Sequence, residues 1–315
     1  MTVYKLLAPA KINLHLEIIG LRSDQFHELA MIMQSVELAD LVEVRSLASD
    51  QIALHCSQPD VPQDHTNLAY RAADLLRQRF PQAWQQHGGV DITLHKRIPM
   101  AAGLAGGSGN AAAVLVGVNL LWRLGLTQAE LQTLGAELGS DIPFCISGGT
   151  AIATGRGEKI DSLPAMRQGA VVLGKYRNIS VSTPWAYQTY RQQFAATYAQ
   201  GDDLRSRSER VHASQMVQAI AQQDLTQIGQ LLYNDLEKVV LPEYSLVANL
   251  RTAFGQTDHL GVLMSGSGPT VFALAQNLEQ AQSIASQVRA ALPDPELELF
   301  VTRFSAQGVH LEPTG

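Results

Sequence analysis

The chain has 315 residues, of which 46% are hydrophobic and 17% are charged, and its formal net charge is −6. This length and composition predict about two globular domains and exclude a disordered chain or a coiled coil. The negative charge argues against a general nucleic-acid binder, which needs a basic surface to replace phosphate counterions. The two cysteines, Cys56 and Cys145, are too few for a disulfide framework or a zinc site. We therefore expect a reducing compartment, the cytoplasm.

The first half of the chain alternates predicted strands with predicted helices. Apolar patterns predict strands at residues 3–8, 12–19, 36–45, 51–56, 90–96 and 150–154. Helices are predicted from a cap at Thr66 or Asn67 to residue 79, over 109–123, from Thr127 to 138, and briefly after Asp141. We expect a polar loop at residues 20–25 and an edge or bulge at Pro9.

The second half begins with a short buried strand at residues 170–173, followed by helical patterns over 184–255 that break at a solvated loop near 201–208. A strand, strand, helix and strand follow at 260–264, 270–275, 278–291 and 297–304. That order predicts a sheet with helices on one face. We place the domain boundary in the connection at 155–168, which gives domains of residues 1–160 and 161–315.

We expect neither a membrane span nor a targeting segment. The longest apolar stretch, residues 111–122, is much shorter than the roughly 20 residues that cross a bilayer. Lys5 and Lys11 lie in a strand-like pattern, which is not typical of a signal peptide.

Residues 99–109 carry the strongest local pattern, Pro-Met-Ala-Ala-Gly-Leu-Ala-Gly-Gly-Ser-Gly between a predicted strand and a predicted helix. Glycine lets the backbone approach a ligand, and a helix N-terminus offers free N–H groups to a phosphate. Ser108 could contact a phosphate-bound Mg²⁺ or cap the helix. The alternative is a tight turn without a ligand. The glycine spacing does not fit the GxGxxG dinucleotide fingerprint.

Three further segments suggest chemistry, and each also has a simpler interpretation. Lys11 follows Ala-Pro-Ala and could be an edge lysine that reaches water. Asp141, in Gly-Ser-Asp-Ile-Pro-Phe, could only cap a helix. Residues 265–270, Ser-Gly-Ser-Gly-Pro-Thr, could form a simple hairpin connection or a second loop beside a phosphate site.

Taken in order, residues 8–14, 99–110 and 266–269 resemble the GHMP kinase superfamily, whose members phosphorylate small molecules without a P-loop. The resemblance implies an α+β, two-domain GHMP kinase fold. Its N-terminal domain, similar to ribosomal S5 domain 2, would bind ATP, and its ferredoxin-like C-terminal domain would bind the substrate. Residues 24–27, 139–144 and 234–237 narrow the match to kinases of a cytidine-diphosphate-linked sugar alcohol in the non-mevalonate isoprenoid pathway.

The resemblance assigns the reacting end of the site. Asp141 would accept the proton of the substrate's 2-hydroxyl, and Lys11 would lie beside it and stabilise the developing negative charge. Asn13 would contact the substrate near the reacting group, and Thr183 would contact the sugar alcohol. ATP would bind through Pro99, Met100, Ala101, Ala102, Gly103, Leu104, Ala105, Gly106, Gly107, Ser108 and Gly109, with Asn67 and Lys96 near its base.

At the cytidine end, the resemblance implies that His27 hydrogen-bonds the cytosine edge while Phe26 and Tyr187 sandwich the ring. The alternative for these two aromatic residues is plain core packing. Mg²⁺ would be carried by the ATP phosphates, with no protein metal ligands. We expect a small-molecule substrate with a cytidine diphosphate group, no nucleic-acid or membrane partner, and a monomer or weak homodimer.

The chain departs from the family pattern at three positions. Ala105 replaces a loop glycine, and we expect a negative φ there. Gly109 replaces a serine, and Phe26 replaces a tyrosine. Two other functions stay open: another GHMP kinase, acting on homoserine, mevalonate or a sugar, or a nucleotide-binding regulatory protein that has lost catalysis. Retention of both Lys11 and Asp141 argues against the second.

Overall fold

The computed structural model describes residues 2–313, apart from the side chain of Arg205. Within that range the strands are β1 (Val3–Leu21), β2 (His27–Leu47), β3 (Ile52–Cys56), β4 (Gly89–His95), β5 (Thr150–Gly155), β6 (Lys159–Leu163), β7 (Ala170–Tyr176), β8 (Tyr233–Asn234), β9 (Gly261–Met264), β10 (Val271–Ala275), β11 (Leu297–Arg303) and β12 (His310–Leu311).

Five α-helices lie in the first half of the described chain. They are α1 (Leu68–Arg79), α2 (Pro81–His87), α3 (Gly106–Leu121), α4 (Gln128–Leu138) and α5 (Ile142–Ser147). Those of the second half are α6 (Thr183–Phe194), α7 (Asp202–Glu209), α8 (Gln215–Gln222), α9 (Leu225–Gln230), α10 (Glu237–Glu243), α11 (Ser245–Gly255) and α12 (Leu278–Ala291). Short 3₁₀ helices follow α6 and α7. Among the described residues, none of these helices combines the length and apolarity needed to cross a membrane.

The larger sheet is built on a long antiparallel hairpin of β1 and β2. Its main path runs β12-β1-β2-β4-β3, while β5 pairs with the first part of β2 and with β6. The pairing register shifts between Pro9 and Lys11, so the predicted bulge is confirmed. The two separate strands expected before residue 20 are instead one continuous strand. Helix α3 packs on this sheet and buries its apolar side against β1 and β2.

The smaller sheet has the antiparallel order β11-β7-β10-β9. Helices α11 and α12 cover it, and their buried residues join one core with strand residues of both sheets. Strand β7 is buried along its whole length. The end of the chain has the predicted order of two strands, a helix and a strand, which are β9, β10, α12 and β11. This prediction is confirmed.

Strands from the second half of the chain also complete the larger sheet. Strand β8 pairs in parallel with β1 at His15 and Leu16, and β12 pairs antiparallel with β1 at Leu6 and Leu7. Strand β6 extends the larger sheet to Leu163. The boundary between residues 160 and 161 stays a prediction.

Two sequence predictions are wrong in this part of the chain. Strand β2 begins at His27 rather than residue 36, because its first half is buried between β1 and β5 and lacks the alternation that marks a half-exposed strand. Residues 202–209 form helix α7, where we expected a solvated loop. Distant partners hold this helix: Arg207 pairs with Glu17, and the Ser208 hydroxyl donates to Glu28.

Candidate active site

A cavity of about 960 Å³ opens between the glycine-rich loop, the start of α3 and helix α6. Its volume lies within the range of small-molecule sites. Of the predicted site residues, all but Leu104 and Gly109 line it. Leu104 is buried in the core, and its carbonyl accepts a hydrogen bond from the backbone N–H of Lys11. Gly109 is buried in α3 against β1.

The glycine-rich loop enters α3 through a left-handed residue. Ala105, the residue before the helix, has a φ of +57°, so the expected negative φ is wrong. The turn from the loop into Gly106 requires this conformation, which costs an L-residue about 1–2 kcal/mol. No side chain caps α3. Ser108 lies in the first turn of α3. Because the helix has no side-chain cap, its first N–H groups are available to a ligand in the cavity.

A buried carboxylate anchors both ends of this loop. Asp40 is fully buried and forms a short ion pair with Lys96, whose amine also donates to Asn110 Oδ1 at 2.9 Å. The other oxygen of Asp40 accepts the backbone N–H groups of Arg97 and Ile98. The Asp40 side chain thus holds residues 96–98, before the glycine-rich loop, and Asn110, in the helix after it. The sequence analysis did not identify Asp40.

The glycine-rich loop packs against the second glycine-containing loop, residues 265–270. Gly103 has a φ of +71°, and a Cβ there would lie 2.2 Å from the carbonyl oxygen of Ser265. The Ser265 hydroxyl donates to the Gly103 carbonyl at 3.0 Å. Asn234 donates from Nδ2 to the carbonyls of Met264 and Gly266, which fixes the second loop in turn. Residues 265–270 therefore form the hairpin connection between β9 and β10 and also support the glycine-rich loop.

Lys11 and Asp141 meet in the cavity. Lys11 Nζ lies 3.7 Å from Asp141 Oδ2 and donates to Asn13 Oδ1 at 2.7 Å. Lys11 is only 4% exposed, so it does not reach solvent as an edge lysine would. Asp141 precedes α5 but makes no capping hydrogen bond with its side chain. A buried ammonium can stabilise negative charge, and a cavity-facing carboxylate beside it can accept a proton.

Aromatic side chains also line the cavity, and we call Phe26, His27 and Tyr187 its aromatic end. The rings of His27 and Tyr187 lie 5.2 Å apart at 31°, and His27 Nε2 lies 2.9 Å from the Tyr198 hydroxyl. Burial, aided by the positive charge of Arg191, lowers the pKa of His27 below its ordinary value. Burial also raises the pKa of Tyr187. Both side chains are therefore neutral at neutral pH and suited to a flat, uncharged ring.

Phe26 lies at the rim of this aromatic end and is 51% exposed. The guanidinium of Arg156 is 4.9 Å from its ring centroid, a cation–π contact. Arg156 and Arg191 both line the cavity and were missed by the sequence interpretation, because neither lies in a recognisable pattern.

Two of the remaining predicted residues have local structural partners. Thr183 Oγ1 lies 2.8 Å from Ser267 Oγ, which joins the start of α6 to the second glycine-containing loop. Asn67 is the N-cap of α1, as predicted, and its side chain accepts the N–H of Ala69 while donating to the Pro62 carbonyl. Within residues 2–313, no group of three or more His, Cys, Asp or Glu side chains is arranged to hold a metal ion.

Comparisons with known proteins agree with this arrangement. Residues 67–149 match the GHMP kinases N terminal domain, and residues 216–294 match the GHMP kinases C terminal family. A Trichormus variabilis protein named 4-diphosphocytidyl-2-C-methyl-D-erythritol kinase is 57% identical over 313 residues, which cover 99% of each chain. The chain belongs to the GHMP kinase family.

Solved structures of GHMP kinases share the whole fold. A crystal structure of 4-(cytidine 5'-diphospho)-2C-methyl-D-erythritol kinase is 30% identical, with a TM-score of 0.72, and covers 96% of this chain and 99% of that one. A homoserine kinase from Cytophaga hutchinsonii has a TM-score of 0.74 at 18% identity, covering 99% and 98% of the two chains, and shows the fold alone. The predicted α+β, two-domain GHMP kinase fold is confirmed. Membership of this kinase family implies ATP as the phosphoryl donor.

Proposed function

We propose that the chain transfers the γ-phosphoryl group of ATP to the 2-hydroxyl of 4-diphosphocytidyl-2-C-methyl-D-erythritol, in the non-mevalonate isoprenoid precursor pathway. One observation carries this proposal. A single cavity is lined by the Lys11–Asp141 pair, by a glycine-rich helix start and by the His27–Tyr187 ring pair. Curated relatives with this name at 53–58% identity support the same substrate.

In the proposed reaction, the substrate's 2-hydroxyl oxygen attacks the γ-phosphorus, and the bond from that phosphorus to the β,γ-bridging oxygen breaks to release ADP. Asp141 accepts the hydroxyl proton as attack proceeds. Lys11, held by Asn13, stabilises the negative charge that develops between the two reactants. A positioned base typically contributes about 10²–10⁴-fold, so most of the acceleration comes from placement and charge stabilisation.

The phosphates of ATP would lie along residues 99–108, against the N–H groups at the start of α3. Lys96, whose charge is balanced by Asp40, would lie near the base of ATP. The residues fit a nucleoside triphosphate because the glycine-rich loop and the first residues of α3 line the cavity together. A Mg²⁺ ion carried by the ATP phosphates would neutralise the oxygens of the transferred group.

The aromatic end favours this substrate over those of other GHMP kinases. Homoserine, mevalonate and simple sugars have no flat base to lie between Phe26 and Tyr187, or to use the edge of His27. Stacking on an aromatic side chain contributes about 1–3 kcal/mol per base, which is enough to select a cytidine diphosphate group. Thr183, at the start of α6, would contact the methylerythritol part.

A coupled ADP-release assay tests the proposal with three acceptors: the diphosphocytidyl substrate, mevalonate and homoserine. We expect turnover of the diphosphocytidyl substrate alone. Faster turnover of either other acceptor would overturn the substrate assignment while leaving the kinase family intact. The cytoplasmic location and the monomeric or weakly dimeric state stay predictions.

A further inference from the structure

Tyr198 contacts the aromatic end of the cavity from behind. Its hydroxyl lies 2.9 Å from Nε2 of His27, and its ring meets the His27 ring edge-on at 88°. His27 lines the cavity, whereas Tyr198 is not among the lining residues. With Nε2 engaged by Tyr198, a base in the cavity can use only Nδ1 of the His27 ring.

The position of Tyr198 is fixed by several contacts. Its N–H donates to the Ala195 carbonyl, and the N–H of the next residue, Ala199, donates to Ile19 in β1. Its ring stacks on that of Tyr190 with an interplanar angle of 14°. The hydroxyl is therefore held in place, and its reach to His27 does not depend on a flexible loop tip.

The protonation states of the pair give the hydrogen bond its direction. The lowered pKa of His27 leaves the ring neutral at neutral pH, so that one ring nitrogen carries a proton and the other accepts. Burial raises the pKa of Tyr198 to about 12, so the phenol keeps its proton. A phenol is a better donor than an imidazole N–H, and an imidazole nitrogen is a better acceptor than a phenol oxygen. The favoured arrangement has Tyr198 donating to Nε2.

We propose that Tyr198 is a positioning residue which donates to Nε2 of His27, keeps the ring proton on Nδ1, and so makes the cavity select cytosine over uracil. Cytosine presents N3 as an acceptor, to which an Nδ1–H can donate, whereas the O2 acceptor is common to both bases. Uracil carries a proton on N3, and two donors then face each other. The inference rests on the proposed function, because it assumes a pyrimidine base at this end of the cavity.

The Tyr198→Phe variant removes the hydroxyl but keeps the ring and its stacking. We expect the ratio of kcat/KM for the cytidine substrate over its uridine-diphosphate analogue to fall about tenfold, the effect of losing one hydrogen bond. The KM for ATP should not change. Tyr233→Phe is the matched control, since it removes a hydroxyl that bonds Asp235 outside the cavity, and its ratio should equal that of the wild type.

A second measurement reads the ring proton directly. Two-bond ¹H–¹⁵N correlation spectra, with the His27 signals assigned by their loss in His27→Ala, should show the Nδ1–H form in the wild type and a mixture of forms in Tyr198→Phe. An Nε2–H form in the wild type would overturn the inference, as would an unchanged substrate ratio in Tyr198→Phe. If the wild type does not phosphorylate the cytidine substrate, the proposed function is overturned instead. The spectra alone would then decide whether Tyr198 sets the position of the His27 ring proton.

Discussion

Lys11 Nζ lies 3.7 Å from Asp141 Oδ2, where the first strand passes the start of α5. The N–H of the same lysine donates to the Leu104 carbonyl in the glycine-rich loop. One residue thus connects the carboxylate of Asp141 with the glycine-rich loop.

Asp141→Asn tests the proton acceptor. The amide keeps the size of the carboxylate but cannot take the proton, so we expect turnover to fall by about 10²–10⁴-fold. ATP affinity, measured by calorimetry, should stay close to that of the wild type. Turnover above about a tenth of the wild-type value would contradict the base assignment.

His27→Ala tests the cytidine end. We expect a large rise in KM for the diphosphocytidyl substrate with little change in KM for ATP, because the His27 ring contacts Tyr187 and is not part of the glycine-rich loop. Steady-state kinetics with each substrate varied in turn gives both constants. Equal losses for both ligands would remove His27 from the cytidine pocket.

Gly103→Ala tests the contact between the two glycine-containing loops. A Cβ there would meet the Ser265 carbonyl at 2.2 Å, and the φ of +71° costs an alanine about 1–2 kcal/mol before any clash. We expect weaker ATP binding and a lower free energy of unfolding. Gly255→Ala is the control, since no atom lies within 4 Å of its Cβ position and its φ is not positive. Full ATP affinity in Gly103→Ala would show that the loops can separate.

Asp40→Ala tests the buried anchor of the glycine-rich loop. Removing one partner of a buried ion pair leaves Lys96 unpaired and typically costs about 3–5 kcal/mol, which urea unfolding measures. The double variant Asp40→Leu, Lys96→Met should recover part of that stability, because no charge is then left without its partner. A single variant as stable as the wild type would mean that Lys96 finds another partner.

His27 also predicts a pH dependence of stability. Its pKa is lowered in the folded chain, so below the unfolded value of about 6.5 the unfolded state binds the extra proton first. The contribution of His27 is complete above that value and is lost as the pH falls through the folded pKa. We expect the urea midpoint to drop more for the wild type than for His27→Gln between pH 7.5 and 5.5. Equal drops in both proteins would contradict the lowered pKa.

The sequence predicts those features that have local causes. Asn67 and Thr127 cap helices because their side chains reach N–H groups two or three residues ahead, and the glycines of residues 103–109 mark a sharp entry into α3. Ala105 shows the limit of such reasoning, because the turn into α3 imposes a positive φ that its own side chain disfavours.

Features that depend on contacts between residues far apart in the chain could not be predicted from the sequence. The carboxylate of Asp40 acts through residues 96–98, between β4 and the glycine-rich loop, and through Asn110 on α3, and nothing in its own neighbourhood in the sequence marks it. Tyr198 meets His27 across two elements far apart in the chain. Helix α7 has a polar sequence typical of a loop and is held by contacts with β1 and β2. Local pattern carries no information on any of these contacts.

Strand β1 is bordered by β2 on one side and by β8 and β12 on the other. The two short strands come from the half of the chain that carries the smaller sheet. A fragment cut at the expected boundary would therefore expose bare backbone donors and acceptors along β1, the kind of edge that recruits other chains into aggregates. The first half of the chain therefore depends on the second half to cover the edge of its own sheet.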